Sequence, residues 1–243
     1  MKKAETFAVR LTSSRLVAPA VREIVFERVD GGVVDFDPGQ WVNLVLPLPT
    51  GEVRRAYSIA SEPDGSSRFE IAVTRVENGP GSTYLHELPE GAVISAIGPH
   101  GLFTRNADDP TPALFVGTGT GVTPLRSMLR AALRHSSATY LWVLLGVRFE
   151  QDILYRDEMQ KLEKEHPNVR FIVTLSRPGQ TWAGSTGYVQ NHVPALLREL
   201  ENQSGAAAHV FVCGLERMVK TVRELCRGEL GMDRKRVHTE RYD

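Results

Sequence analysis

Between the apolar run Ala113-Leu-Phe-Val-Gly117 and an amphipathic stretch opening at Pro124, the chain reads Gly117-Thr118-Gly119-Thr120-Gly121-Val122-Thr123-Pro124. Glycines let a backbone turn tightly and let phosphate oxygens approach its amides. A helix beginning just behind such a turn offers its partially positive end to an anion. Pro124 suits a first helical turn, where its missing N–H costs nothing. The spacing departs from G-x-G-x-x-G, because Val122 replaces the third glycine, and some glycine-rich turns only join a strand to a helix. In this strand–turn–helix setting, Gly117, Thr118, Gly119, Gly121 and Pro124 point to nucleotide binding.

Two further sets of residues carry reactive types. Arg55-Ala56-Tyr57-Ser58 puts a cation, an aromatic ring and a hydroxyl along one extended segment. On its own this reads equally as a barrel strand with an exposed Arg and a packed Tyr. Cys213 closes the run His209-Val-Phe-Val-Cys-Gly214, at the carboxyl end of a strand, where ligands bind in open α/β sheets. A generic buried cysteine is the alternative.

The elements that must position these residues change character near residue 110. Before it come short runs rich in Val, Ile, Phe and Tyr, at 21–29, 40–48, 54–61, 68–76 and 92–98, with one helical interruption at Ser82–Leu88. Many short strands at regular spacing imply a β-barrel or sandwich. After residue 110, strands at 113–117, 140–147, 169–176 and 209–214 alternate with helices at 124–135, 153–166, 193–200 and 216–228, and a short strand follows at Arg236–Glu240. That alternation means a parallel, doubly wound sheet. The polar stretch 105–112 separates a barrel domain, residues 1–108, from an α/β domain, residues 109–243.

Composition narrows the classes. Lys plus Arg number 29 and Asp plus Glu number 29, so there is no basic surplus for general nucleic-acid binding. Cys213 and Cys226 are too few for a four-cysteine iron–sulfur cluster or a disulfide scaffold, and suit a reduced cytoplasmic protein. The two lysines near the start are not followed by an apolar core, so no signal peptide is expected. No stretch reaches the ~20 apolar residues of a membrane span. No metal site is expected.

Taken in order, Arg55–Ser58, Gly79-Pro-Gly-Ser82-Thr-Tyr-Leu85, Gly98-Pro-His-Gly101, the Gly117–Pro124 turn and Cys213-Gly214-Leu-Glu-Arg-Met218 form a set that resembles the ferredoxin–NADP(+) reductase superfamily, in its bacterial type without a fused ferredoxin domain. The resemblance runs from the FDPGQWV segment (36–42) to the terminal ERYD (240–243). It implies a Greek-key β-barrel that binds FAD, followed by an NAD(P)-binding α/β domain. By the same resemblance, Arg55 would bind the FAD pyrophosphate, Tyr57 would stack on the isoalloxazine ring, and Ser58 would hydrogen-bond N5, the hydride acceptor. Gly81 and Ser82 would give amides and a hydroxyl to the pyrophosphate. Val73 and Thr74 match positions lining the adenosine side, although an ordinary barrel strand accounts for their side chains equally well. Thr120 would approach the nicotinamide and flavin. Cys213 and Gly214 would lie beside the hydride-transfer centre, and Glu240 and Tyr242 match an acidic residue and an aromatic that face the flavin. The chain ends on Asp243, where related bacterial reductases often end in an aromatic.

The resemblance implies an NAD(P)H-dependent flavoprotein that hands electrons to a separate ferredoxin or flavodoxin. A flavin or quinone reductase and an electron-transfer subunit of a larger complex are the alternatives. Arg148 and Ser176-Arg177, at the ends of two strands, suit the 2′-phosphate of NADPH. Glu150 or Asp152 is near enough in sequence to pair with Arg148 instead. The segment 176–189 also looks like NADH-using oxygenase reductases, and Tyr188 would stack on adenine with either coenzyme. Arg126, Arg130 and Arg134 recur at i, i+4 and i+8 on one helix face. That stripe either docks an acidic carrier or is a solvated face.

Overall fold

In the computed structural model, residues 4–135 and 138–242 are described; Met1–Lys3, read above for a leader, and Asp243 lie outside them. The first half holds β1 (Glu5–Ala18), β2 (Val21–Arg28), β3 (Trp41–Leu48), β4 (Gly51–Ser58), β5 (Arg68–Thr74), α1 (Pro80–Glu87) and β6 (Val93–His100). They form one antiparallel sheet in the order β4-β3-β6-β1-β2-β5. Alternate residues such as Phe7, Val9 and Leu11 on β1 point into a shared apolar core with Ile24, Leu44, Leu46 and Ile71. The sheet curls until its two edges meet, where the Ala60 N–H donates to Glu70 O at 2.7 Å. β1 was not expected from the sequence, yet it pairs with both β2 and β6.

The second half holds β7 (Ala113–Thr118), α2 (Val122–Arg134), β8 (Leu141–Val147), α3 (Arg156–Glu165), β9 (Val169–Leu175), β10 (Ser185–Thr186), α4 (Val193–Ser204), β11 (His209–Leu215), α5 (Glu216–Glu224) and β12 (Val237–Tyr242). Its sheet is parallel, in the order β10-β9-β8-β7-β11-β12. α2 and α3 pack their apolar residues on one face. α4 and α5 cover the other. Because both faces are covered, β7 and β8 are almost wholly apolar and buried. Strand order reverses between β7 and β11, which makes their carboxyl ends a ligand crevice.

Several element ends differ from expectation. α3 starts late, because Tyr155 before it takes a left-handed φ of 56° after a separate turn at Glu150–Asp152. α5 stops at Glu224 and widens into a π-helical turn over Leu225–Glu229. β12 runs on to Tyr242, which fixes that side chain in a sheet register opposite Leu215.

The halves share packing. Ala18, Val21, Ala72 and Phe103 join the same apolar cluster as Leu125, Met128 and Leu129 of α2. The connection folds around the buried Arg105, which donates to the carbonyls of Asn106, Asp109 and Thr111. No helix among the described residues is long and apolar enough to cross a membrane.

Candidate active site

Four side chains from the two halves converge at the switch point. β4 ends at Ser58, which is buried. β12 lies beside β11 with Glu240 opposite Cys213, so these two residues share one level of the sheet. The Tyr242 hydroxyl donates to Ser58 Oγ at 2.6 Å, and Ser58 Oγ donates to Glu240 Oε2 at 3.4 Å. Thr123 Oγ1 lies 3.3 Å from the Tyr242 hydroxyl and donates to Thr120 O at 2.8 Å.

Burial sets the charge states here. It raises the Glu240 carboxyl to about 7, with the Ser58 hydrogen bond opposing. Cys213 is 0% exposed. Burial, reinforced by the nearby Glu240, holds its thiol well above the ordinary range, so it stays neutral at physiological pH. The Tyr242 phenol is raised the same way and remains a hydrogen-bond donor.

The glycine turn meets β11 backbone to backbone. A Cβ on Gly121 would strike the Cys213 carbonyl, and one on Gly214, whose φ is 145°, would strike Thr118 Oγ1. Only glycine at both positions lets the two strand ends close on each other. Gly117 is paired with Cys213 across the switch point. Gly119 carries a positive φ and is open to the crevice. Pro124 is buried in the first turn of α2. Thr118 Oγ1 is buried with no partner among the described residues.

On the barrel, Arg55 and Ala56 are exposed on β4 and Tyr57 is half-buried, its phenol pushed up to about 12 by burial. Gly81 opens α1 directly against Arg55, whose Cγ lies 3.3 Å from a Cβ placed on that glycine. The Ser82 hydroxyl donates to Gly79 O at 3.0 Å and accepts from the Val76 N–H at 3.1 Å, so it shapes the loop before α1. Of the two residues read either as adenosine-side or as ordinary barrel strand, Val73 is 1% exposed in the barrel core, whereas Thr74 is exposed.

Known proteins carry the same plan. Residues 8–104 match the oxidoreductase FAD-binding domain family and residues 115–224 the oxidoreductase NAD-binding domain family. A protein of Sorangium cellulosum (strain So ce56) named ferredoxin–NADP reductase B is 62% identical over 244 residues, covering 100% of both chains. The chain belongs to the ferredoxin–NADP reductase family. It is an oxidoreductase with an FAD-binding and an NAD-binding half. The phenol hydroxylase P5 protein of Acinetobacter pittii (strain PHEA-2) is 30% identical over 212 residues, but these span only 58% of that protein. Among solved structures, an Amycolatopsis cytochrome P450 reductase aligns with a TM-score of 0.83 at 26% identity, over 98% of this chain and 70% of that one. A ferredoxin NADP+ reductase from Neisseria gonorrhoeae aligns with a TM-score of 0.81 over 98% and 99% of the two chains, and at 18% identity it speaks for the fold.

Within this ferredoxin–NADP reductase fold, Arg148 and Arg177 are exposed neighbours, since the Arg177 N–H donates to Arg148 O at 2.9 Å. Ser176 sits beside them, its N–H on Val147 O. The nearby acids are engaged elsewhere: Glu150 pairs with Arg156 at 2.7 Å, and Asp152 accepts from the Phe149 N–H. Tyr188 is 65% exposed.

The arginine stripe does not lie on one solvated face. Arg126 is 2% exposed and bound to Glu70 and Glu158. Arg130 pairs with Glu62 and Glu158, and Arg134 reaches Glu62 at 4.0 Å. Arg126 and Arg130 are thus neutralised at the boundary between the halves, whereas Arg134 stays exposed beside them. Sequence reasoning missed this clamp and the role of Thr123, which lay inside the quoted turn but was not singled out.

Proposed function

We propose that this chain takes electrons from NADPH and passes them, through FAD, to a ferredoxin- or flavodoxin-type carrier in the cytoplasm. One observation carries the reading: Ser58 from the barrel meets Glu240 and Tyr242 from the parallel sheet, beside Cys213, at the switch point. When bound, FAD would supply the redox chemistry, as a hydride acceptor and one-electron donor.

The residues fit that group on two observations. Arg55 presents an exposed guanidinium whose only hydrogen bond among the described residues is to the Arg54 carbonyl, leaving donors for a pyrophosphate. The Gly81 and Ser82 amides sit beside it in the first turn of α1, where backbone N–H groups have no intrahelical acceptor. With FAD bound, Tyr57 would offer its ring to the isoalloxazine, Ser58 Oγ would hydrogen-bond N5, and the exposed Thr74 would line the adenosine side.

Glu240 holds or releases a proton at the carboxylate bonded by Ser58, and its elevated pKa suits that exchange near neutrality. Cys213 is a neutral packing surface beside the nicotinamide. Thr118, with its unpartnered hydroxyl, Thr120 and the glycines of the turn approach the coenzyme. Arg148, Ser176 and Arg177 hold its 2′-phosphate, and Tyr188 stacks on its adenine. Two free, buried cysteines suit a reducing compartment.

The test is oxidation of NADPH and NADH in parallel with ferricyanide, ferredoxin, flavodoxin, free flavin and quinone as acceptors. NADPH-dependent reduction of a protein carrier is expected. No turnover with either coenzyme overturns the reading. Turnover confined to free flavin or quinone replaces it with a reductase that needs no protein partner.

A further inference from the structure

The helix that begins at the glycine turn also grips the chain just beyond Ser58. Arg126 Nη1 donates to Ala60 O at 2.8 Å, Ser127 Oγ donates to Ser61 O at 2.6 Å, and Arg130 Nε pairs with Glu62 at 2.6 Å. Successive acceptors on the barrel therefore meet successive donors on one face of α2. Arg126 also binds Glu70 at 2.5 Å and Glu158 through Nε and Nη2, and lies over the Tyr155 ring at 4.4 Å. Ala60 and Glu70 are the residues through which the barrel closes. Arg126 thus ties that closure to α2 on one side and to α3, through Glu158, on the other.

The contacts complete a ring that crosses the boundary twice. Ser58 binds Tyr242, Tyr242 lies on Thr123, α2 carries Thr123 to Arg126, and Arg126 returns to Ala60, two residues from Ser58. Both covalent arms are short. Three helical residues rise roughly 4.5 Å and two extended residues span roughly 6.6 Å. A shift of α2 against the barrel therefore moves the glycine turn relative to Ser58 with little slack.

A buried charge cluster adds little net stability compared with apolar packing, because desolvation offsets the attraction. What it supplies is a single geometry. Arginine suits the task because its planar fork reaches three acceptors at once, which a lysine ammonium on a flexible stem does not reproduce.

We propose that Arg126 is a positioning residue that, with Ser127, locks α2 onto the Ser58 segment and so fixes the spacing between the flavin-facing and coenzyme-facing walls of the crevice. The inference rests on the functional reading above only for its kinetic consequence; the lock itself is a statement about this chain.

The experiment compares the purified wild-type protein with Arg126→Lys and Ser127→Ala. Amide hydrogen exchange is followed in the peptides covering 58–62 and 119–123, with β8 as an internal reference. In R126K, exchange is expected to speed up about tenfold in both peptides while β8 stays within twofold. At saturating NADPH the turnover of R126K falls at least tenfold with KM within twofold, a scale set by the sensitivity of reaction rates to ångström misplacement. S127A shows the same pattern at about threefold. Faster exchange in 58–62 alone, or a loss of turnover that only tracks lost FAD or lost folded protein, overturns the proposal. Should R126K not fold, S127A decides by the same criteria. If the wild type oxidises no NADPH, the functional reading fails, and the exchange data still judge the lock.

Discussion

The Tyr242 hydroxyl donates to Ser58 Oγ at 2.6 Å, and so joins β12 of the parallel sheet to the last residue of a barrel strand. Ser58 Oγ in turn donates a hydrogen bond to Glu240, so the hydrogen bonds run in one direction toward a half-buried carboxyl. Cys213 sits behind Glu240 in the adjacent strand. Catalytic constellations assembled from separate halves depend on such cross-boundary bonds, because neither half orients the group alone.

Glu240 gives a signed pH prediction. Its folded pKa is raised by burial from 4.5 to about 7. Below pH 4.5 the carboxyl is protonated whether the chain is folded or not. Between 4.5 and 7 the folded protein keeps a proton that the unfolded chain has lost. Stability therefore falls as pH rises through this window, by on the order of 3 kcal/mol from this group. Glu240→Gln removes the slope. Urea unfolding at pH 5 and pH 8 should show the variant gaining on the wild type only at pH 8. An equal offset at both pH values would contradict the assignment.

The cysteines give a chemical prediction. Cys213 is held neutral by burial, and Cys226 is pushed up to about 11 by the same cause. Neither supplies the thiolate that reacts with disulfide reagents. Folded protein should react slowly with such a reagent at pH 7.5, and both thiols should appear at once in denaturant. Cys213→Ala should retain FAD and slow flavin bleaching at saturating NADPH. An unchanged bleaching rate would make Cys213 a core residue and nothing more.

Much of this was readable from residue patterns, and the exceptions share a cause. The alternation after residue 110 and the glycine turn are local signals, and they indicate the parallel doubly wound sheet that the structure has. β1 is hard to read because only Phe7, Val9 and Leu11 alternate clearly, while Thr12–Arg15 are polar where the strand pairs with β2 beyond the reach of β6. The i, i+4, i+8 arginines declare a helix face, but Glu62, Glu70 and Glu158, which neutralise Arg126 and Arg130, lie 28 to 68 positions away in the chain. Spacing along a helix carries no information about acids that arrive by tertiary folding. Val73 was ambiguous because strand period alone does not say which face of a barrel is inside.

Arg55→Ala should weaken FAD binding by roughly 1.5–3 kcal/mol, the scale of hydrogen bonds to a charged group. The barrel should tolerate the change, since Arg55 is exposed and its one internal hydrogen bond among the described residues is to a neighbouring carbonyl. Equilibrium titration of apoprotein with FAD, beside a thermal melt of the same apoprotein, separates the two effects. Unchanged FAD affinity would move the pyrophosphate away from the start of α1.

Coenzyme choice turns on Arg148 and Arg177. They are adjacent at the ends of β8 and β9, exposed, and free of Glu150, which is occupied by Arg156. A 2′-phosphate placed between them gains two cations that NADH cannot use. NADPH should therefore exceed NADH in kcat/KM. The double change Arg148→Ala with Arg177→Ala should erase most of that preference through KM, because the phosphate lies far from the reacting carbon and its binding is uniform along the reaction. NADH kinetics should hardly move. Raising the salt concentration should imitate part of the effect for NADPH alone, as exposed ion pairs are screened within about 10 Å at 0.1 M. A wild type that already prefers NADH would refute the assignment. A double variant that loses both coenzymes equally would instead place these arginines at the pyrophosphate common to the two.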